Sequence, residues 1–172
     1  MIEFEKLRDE IIFSDKMSLN ILGYSFAVSA GILSVNKDLE LSTYVLLLLV
    51  QALWIMSFFY ISNRRFAIHT IATYIKEKIE AVNPELNWET WLRETDMPKS
   101  LRIYYVETII CSIPITGIFI FYLYEWLYFS KEHGMYAQFK ISAIFSVIMF
   151  VAFIVFMRIT VKKYNLLRSK SI

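Results

Sequence analysis

Four apolar runs, each long enough to cross a bilayer, leave this chain little choice of fold. They cover residues 18–35, 41–61, 101–129 and 139–160. A helix rising ~1.5 Å per residue needs about 20 residues to traverse a hydrocarbon core of ~30 Å. In lipid every backbone polar group must be satisfied internally, and a helix does this alone. The expected fold class is therefore all-α: a polytopic membrane protein of four transmembrane helices. Composition agrees, because 57% hydrophobic and 17% aromatic residues with only 4 glycines are not the mixture of an ordinary soluble domain. The first residues, Met1 to Glu10, lack the basic region and small-residue cleavage site of a signal peptide, so the first span is expected to be retained.

Charge then orients the spans. Fifteen Lys and Arg fall before the first span, in the central stretch 63–102, or from the end of span four onward, against Lys37 in the first turn and Lys131 and Lys140 around the second. The positive-inside rule places both termini and the central stretch in the cytoplasm of a bacterial inner membrane. Tyr44, Tyr60 and Trp126 stand at span boundaries, where amphipathic rings favour the interface. Net charge is only +2, which argues against nucleic acid as a direct partner.

The polar segments each have a predicted form. Residues 1–17 read as a cytosolic amphipathic helix, with Phe4, Leu7, Ile11 and Ile12 among charges, lying on the membrane or docking on the central stretch. Residues 63–100 read as a cytosolic helical hairpin. Its first helix carries Phe66, Ile68, Ile71, Ile75, Ile79 and Val82 at helical spacing and stops at Asn83-Pro84. Asn87 caps a second short helix bearing Trp88 and Trp91, and Pro98 stands where the next helix starts. Residues 161–172 form a cytosolic basic tail.

On the first span Asn20, Gly23, Ala27 and Gly31 share one face, a pattern that lets helices approach closely in lipid. On the third, Glu107 and Glu125 lie eighteen residues apart, about five helical turns, with Cys111, Ile118 and Phe121 on the same side. A carboxylate at membrane depth is costly and usually faces a bundle interior or a water-filled path. These five residues are the candidate pore lining, and Pro114 between them is a candidate hinge. Arg64, Arg65, His69, Trp88 and Trp91 are candidates for binding a cytosolic partner or trigger. Arg64 and His69 also stand at the Arg-x-x-x-x-His spacing used by HEPN ribonucleases, although a positive-inside anchor accounts for both arginines. Nothing resembles a catalytic triad, a phosphate loop or a metal-ligand spacing, and the lone Cys111 makes no cluster. No enzyme activity, cofactor or metal is expected.

Three pieces carry a resemblance: Phe4 to Ile11, Arg65 to Glu80 with its Ile-x-x-Tyr-Ile-x-x-x-Ile-Glu pattern, and Asn87-Trp-Glu-Thr-Trp91. Together they resemble a group of poorly characterised small bacterial membrane proteins. In layout the chain is also similar to membrane effectors of anti-phage systems, including accessory proteins of RNA-targeting CRISPR systems. That resemblance implies a homo-oligomeric pore or membrane-perturbing effector gated through its cytosolic helices. Two other functions fit the same residues: a small proton-coupled exporter working through Glu107, and a non-conducting anchor that recruits a cytosolic protein. A reporter fused after Asn83 should read as cytoplasmic and one after Gly134 as periplasmic; a periplasmic signal at Asn83 overturns the whole arrangement.

Overall fold

The computed structural model describes the backbone of residues 2–34, 43–86, 88–128 and 136–170, and the side chains of 3–34, 43–86, 106–127 and 139–163. Four long helices make up nearly all of it: α1 (Ile2–Ser34), α2 (Thr43–Tyr74), α3 (Trp88–Tyr128) and α4 (Tyr136–Lys170). Each contains a stretch long and apolar enough to cross a membrane. Large side chains such as Leu19, Phe26, Met56, Ile113 and Ile148 stand exposed around the outside, as they must where lipid is the solvent.

The helices are longer than the apolar runs, because nothing in the flanking sequence stops them. The expected N-terminal helix and first span are one rod, α1. The first helix of the expected hairpin is the continuation of α2, which runs on through a π-helical segment, Ile75–Glu80. Asn83-Pro84 does halt it: the Val82 and Asn83 amides close onto the Ile79 carbonyl at 3.3 and 3.0 Å, and a 3₁₀ turn, Pro84–Leu86, follows. α3 begins at Trp88 and continues unbroken to Tyr128. Pro98 therefore lies inside a helix, not at its start, and Pro114 stands within the same unbroken helix. Proline removes one donor, a loss that a long helix can carry. Likewise α4 continues to Lys170, so the expected basic tail is helical over most of its length. The turns expected around residues 36–40 and 130–135, Asn87, and the side chains of Trp88 and Trp91 lie outside the described residues.

α2 is the hub. It packs along α1, α3 and α4, while α3 and α4 also pack on each other. Its buried residues, Leu46, Val50, Gln51, Trp54, Ser57, Phe58, Ile61, Ser62 and Arg65, accordingly cover a wide arc. α3 contributes a narrower stripe of Glu107, Cys111, Ile115, Ile118 and Tyr122, at three- and four-residue steps. Aromatic contacts tie α4 in: Phe58 to Phe153 at 5.1 Å, Phe59 to Phe156 at 4.5 Å, and Phe119 stacked on Phe150 at 4.1 Å. Beyond the apolar spans, α1 docks on the α2 extension, with Tyr74 donating to Glu3 at 3.2 Å and Phe4 buried.

The face of α1 that packs is not the one with the glycines. Ser14, Ser18, Leu22, Ser25 and Ser29 are buried, whereas Asn20, Gly23, Ala27 and Gly31 point away from the bundle. A Cβ added at Gly23 or Gly31 would meet nothing within 4 Å. Serine serves the interface as well as glycine would, being small and returning its hydroxyl to its own helix. Gly23→Leu and Gly31→Leu should therefore shift stability in detergent by no more than about 0.5 kcal/mol. Ser25→Leu, at a position 2% exposed, should cost about 1–3 kcal/mol by overpacking. Thermal unfolding of the three purified variants checks the contrast.

Candidate functional site: a charged clamp and a polar seam

Arg65 is where the chain solves its hardest problem. Its guanidinium is charged at every accessible pH, and α2 carries it into the interior, where the side chain is only 10% exposed. Three of its nitrogens find carboxylates. Nε donates to Glu107 Oε2 at 2.8 Å and Nη2 to Glu107 Oε1 at 2.5 Å, a bidentate fork. Nη1 donates to Asp15 Oδ1. Glu107 is buried with it, at 4% side-chain exposure, while Asp15 keeps 44% and stays hydrated. The clamp thus joins α1, α2 and α3 at one level, just beyond the most apolar part of the bundle.

From the clamp a seam of small polar groups runs between α1 and α2. Ser18 donates to the Ser14 carbonyl at 3.1 Å and Ser29 to the Ser25 carbonyl at 2.6 Å. Ser25 and Ser57 share a hydrogen bond across the interface at 2.6 Å. Trp54 Nε1 donates to Ser29 Oγ at 3.0 Å, and its ring meets Phe26 edge-on at 4.7 Å. Between α2 and α4, Gln51 Nε2 reaches the Ser146 carbonyl at 3.5 Å. Aromatic residues close the far end. Tyr122 donates to the Tyr44 carbonyl, Tyr44 donates to Glu125 Oε2 at 3.5 Å, and Phe139 packs on Tyr44 at 5.1 Å. Among the described residues three buried polar atoms lack any partner: Gln51 Oε1, Ser62 Oγ and Ser146 Oγ. An unsatisfied buried polar group costs about 1–3 kcal/mol.

This geometry revises the sites expected from the sequence. Glu107, Cys111 and Ile118 do share a face, and at 3%, 0% and 8% exposure they are packed inside the bundle of a single chain. Phe121 sits at the edge, 36% exposed and 6.4 Å from Tyr44. Its expected place in the stripe belongs to Tyr122. Glu125 is half-buried under the Tyr44 hydroxyl, and Pro114 is half-buried within α3. Arg65 is turned inward and offers nothing to a partner, whereas Arg64 bonds outward to the Tyr60 hydroxyl at 2.8 and 3.1 Å. His69 is half-buried on α2. No group of His, Cys, Asp and Glu among the described residues has a metal-holding arrangement. Asp15 and the serines are not among the site residues expected from the sequence. Their spacing, Ser14, Ser18, Ser25 and Ser29, was the signal that could have found them, since seven- and four-residue steps keep one helix face.

Fold and site define a class: a four-helix, polytopic membrane protein with a buried polar seam and ion pair. No protein-family model, curated protein or solved structure matches the chain.

The clamp makes a sharp prediction. Arg65→Leu leaves Glu107 buried without its cation and should destabilise the bundle by about 3–5 kcal/mol. Replacing Arg65 and Glu107 together by leucine should recover most of that loss, because a buried ion pair is worth little against well-packed apolar side chains. Asp15→Asn, at an exposed carboxylate, should cost about 1 kcal/mol or less. A double variant as unstable as Arg65→Leu alone would show that the pair is not acting as a unit.

Proposed function

We propose that this protein is a bacterial inner-membrane permeability element, a pore or membrane-perturbing effector held closed by the Arg65–Glu107–Asp15 clamp. The observation that carries the reading is the polar seam. An interface between lipid-embedded helices needs only shape, yet this one is lined by Ser14, Ser18, Ser25, Ser29 and Ser57. If α1 parts from α2, those hydroxyls present a wettable surface from the clamp toward the bilayer centre. The conducting route then lies within a subunit or along its α1–α2 seam, instead of around an axis lined by Glu107 and Cys111. The charge distribution supports a cytoplasmic position for the clamp, within reach of a trigger that moves the helical extensions outside the membrane. The layout shared with anti-phage membrane effectors fits such a role, as does assembly into a homo-oligomer with a cytosolic protein as trigger.

The exporter reading loses support from the same geometry. A carboxylate that cycles a proton must be free to exchange partners, and Glu107 is forked on a permanently charged arginine. The anchor reading is the alternative that the decisive experiment separates.

Potassium-loaded liposomes carrying wild-type protein, Arg65→Gln or Glu107→Gln should be compared by a potential-sensitive dye. Wild type should hold its gradient, and either clamp variant, checked as monodisperse and helical, should dissipate it at least tenfold faster. Tight vesicles for every folded variant would remove the conducting function and leave the non-conducting anchor.

A further inference from the structure

The seam has two kinds of serine. Ser18 and Ser29 return their hydroxyls to the carbonyl four residues earlier, and so does Ser112 on α3; Ser25 and Ser57 lie within reach of the same kind of carbonyl, and one of the two gives its proton to the other across the interface. Bonding back to that carbonyl is the ordinary way for a helical serine to hide its polarity in an apolar setting. Ser146 departs from it. It is 0% exposed, yet its Oγ has no partner, so it has not turned back to the Ser142 carbonyl one helical turn away.

Gln51, the residue it faces, has the complementary deficiency. It too is 0% exposed; its Nε2 makes one long bond, 3.5 Å, to the Ser146 carbonyl, and its Oε1 has none. Exchanging the amide O and N does not repair this, since it would turn an oxygen toward the carbonyl oxygen. Two of the three partnerless buried atoms among the described residues therefore belong to one contact between α2 and α4. That contact lies deep in the membrane, about 21 Å along α2 from Arg65 and about 10 Å from Tyr44 at the usual helical rise.

We infer that Gln51 and Ser146 hold an internal water molecule at this level. A water donates to Gln51 Oε1 and exchanges a hydrogen bond with Ser146 Oγ, and the Ser146 carbonyl offers a further acceptor. This gives it the two to four polar partners a buried water requires. A monovalent cation does not suit the same oxygens. Its charge would be uncompensated, because Glu107 is committed to Arg65 and Glu125 lies at the aromatic end under Tyr44. The water site is independent of whether the bundle conducts. It gives the otherwise apolar core of the bundle, to which Val50, Trp54, Tyr122 and Ala143 belong, one hydrated point.

The chain has only two glutamines, Gln51 and Gln138, so selective ¹⁵N-glutamine labelling in lipid nanodiscs yields two side-chain amide pairs, and Gln51→Met assigns them. The Gln51 amide protons should show cross-peaks to water of opposite sign in NOE and ROE spectra, the mark of a long-lived bound molecule. Ser146→Ala should reduce those cross-peaks several-fold. No water cross-peak at Gln51 in the wild-type protein overturns the proposal without recourse to any variant. So do cross-peaks of equal sign, which report bulk hydration, or cross-peaks undiminished in a folded Ser146→Ala. Because liposome flux is not part of this readout, a bundle that never conducts leaves the result intact.

Discussion

An arginine that cannot lose its charge sits inside an apolar bundle, and much of the architecture is the answer to that constraint. Burying an unpaired guanidinium costs several kcal/mol even after relaxation, so α3 must bring Glu107 to the same level and α1 must bring Asp15 close by. The fork between Arg65 and Glu107 accepts little sliding, since both of its hydrogen bonds lengthen together. It therefore sets the axial register of α2 against α3, which the apolar contacts of Ile61, Ile115 and Phe58 would tolerate at more than one offset. Asp15 does the same for α1 more loosely, from a hydrated position.

With lipid outside, polar groups have only the interior to occupy, and the bundle is organised by polarity in the inverse sense to a soluble protein. Hydrogen bonds between helices in such a setting contribute about 0.6 kcal/mol each on average, so the serines matter less as adhesive than as spacers. Their small volume brings α1 close to α2, and their back-bonded hydroxyls remove the polarity that closeness would otherwise bury. Among the described residues only Ser25 and Ser57 form a serine pair that reaches across directly.

The spans were legible because length and apolar content are sufficient to name a membrane helix, and Glu107 was legible as a carboxylate out of place. What it pairs with was not. Arg65 follows Arg64 in a segment whose charge is explained by membrane orientation, and nothing local distinguishes the arginine that turns inward from the one that turns out. The glycine pattern on α1 misled for a related reason. In a soluble helix the apolar stripe marks the packed side, but in lipid both sides are apolar, so Gly23 and Gly31 and the serines offered competing faces, and only contact with α2 selects between them. Asn83-Pro84 ends its helix as the sequence implies, while α1 runs through Lys16, where nothing in the sequence marks either a break or its absence, and α3 runs through Pro98, which its sequence marks as a helix start.

The unbroken passage of α2 from Thr43 to Glu80 makes it a lever. At the usual helical rise it is about 57 Å long, nearly twice the hydrocarbon thickness. A rod of that kind converts a small rotation into a displacement proportional to distance from its pivot. Turning by about 5° around the level of Gln51 would carry Arg65 by about 2 Å, more than a charged hydrogen bond survives, whereas side chains near the pivot would hardly move. A force applied at the far tip therefore acts first on the clamp.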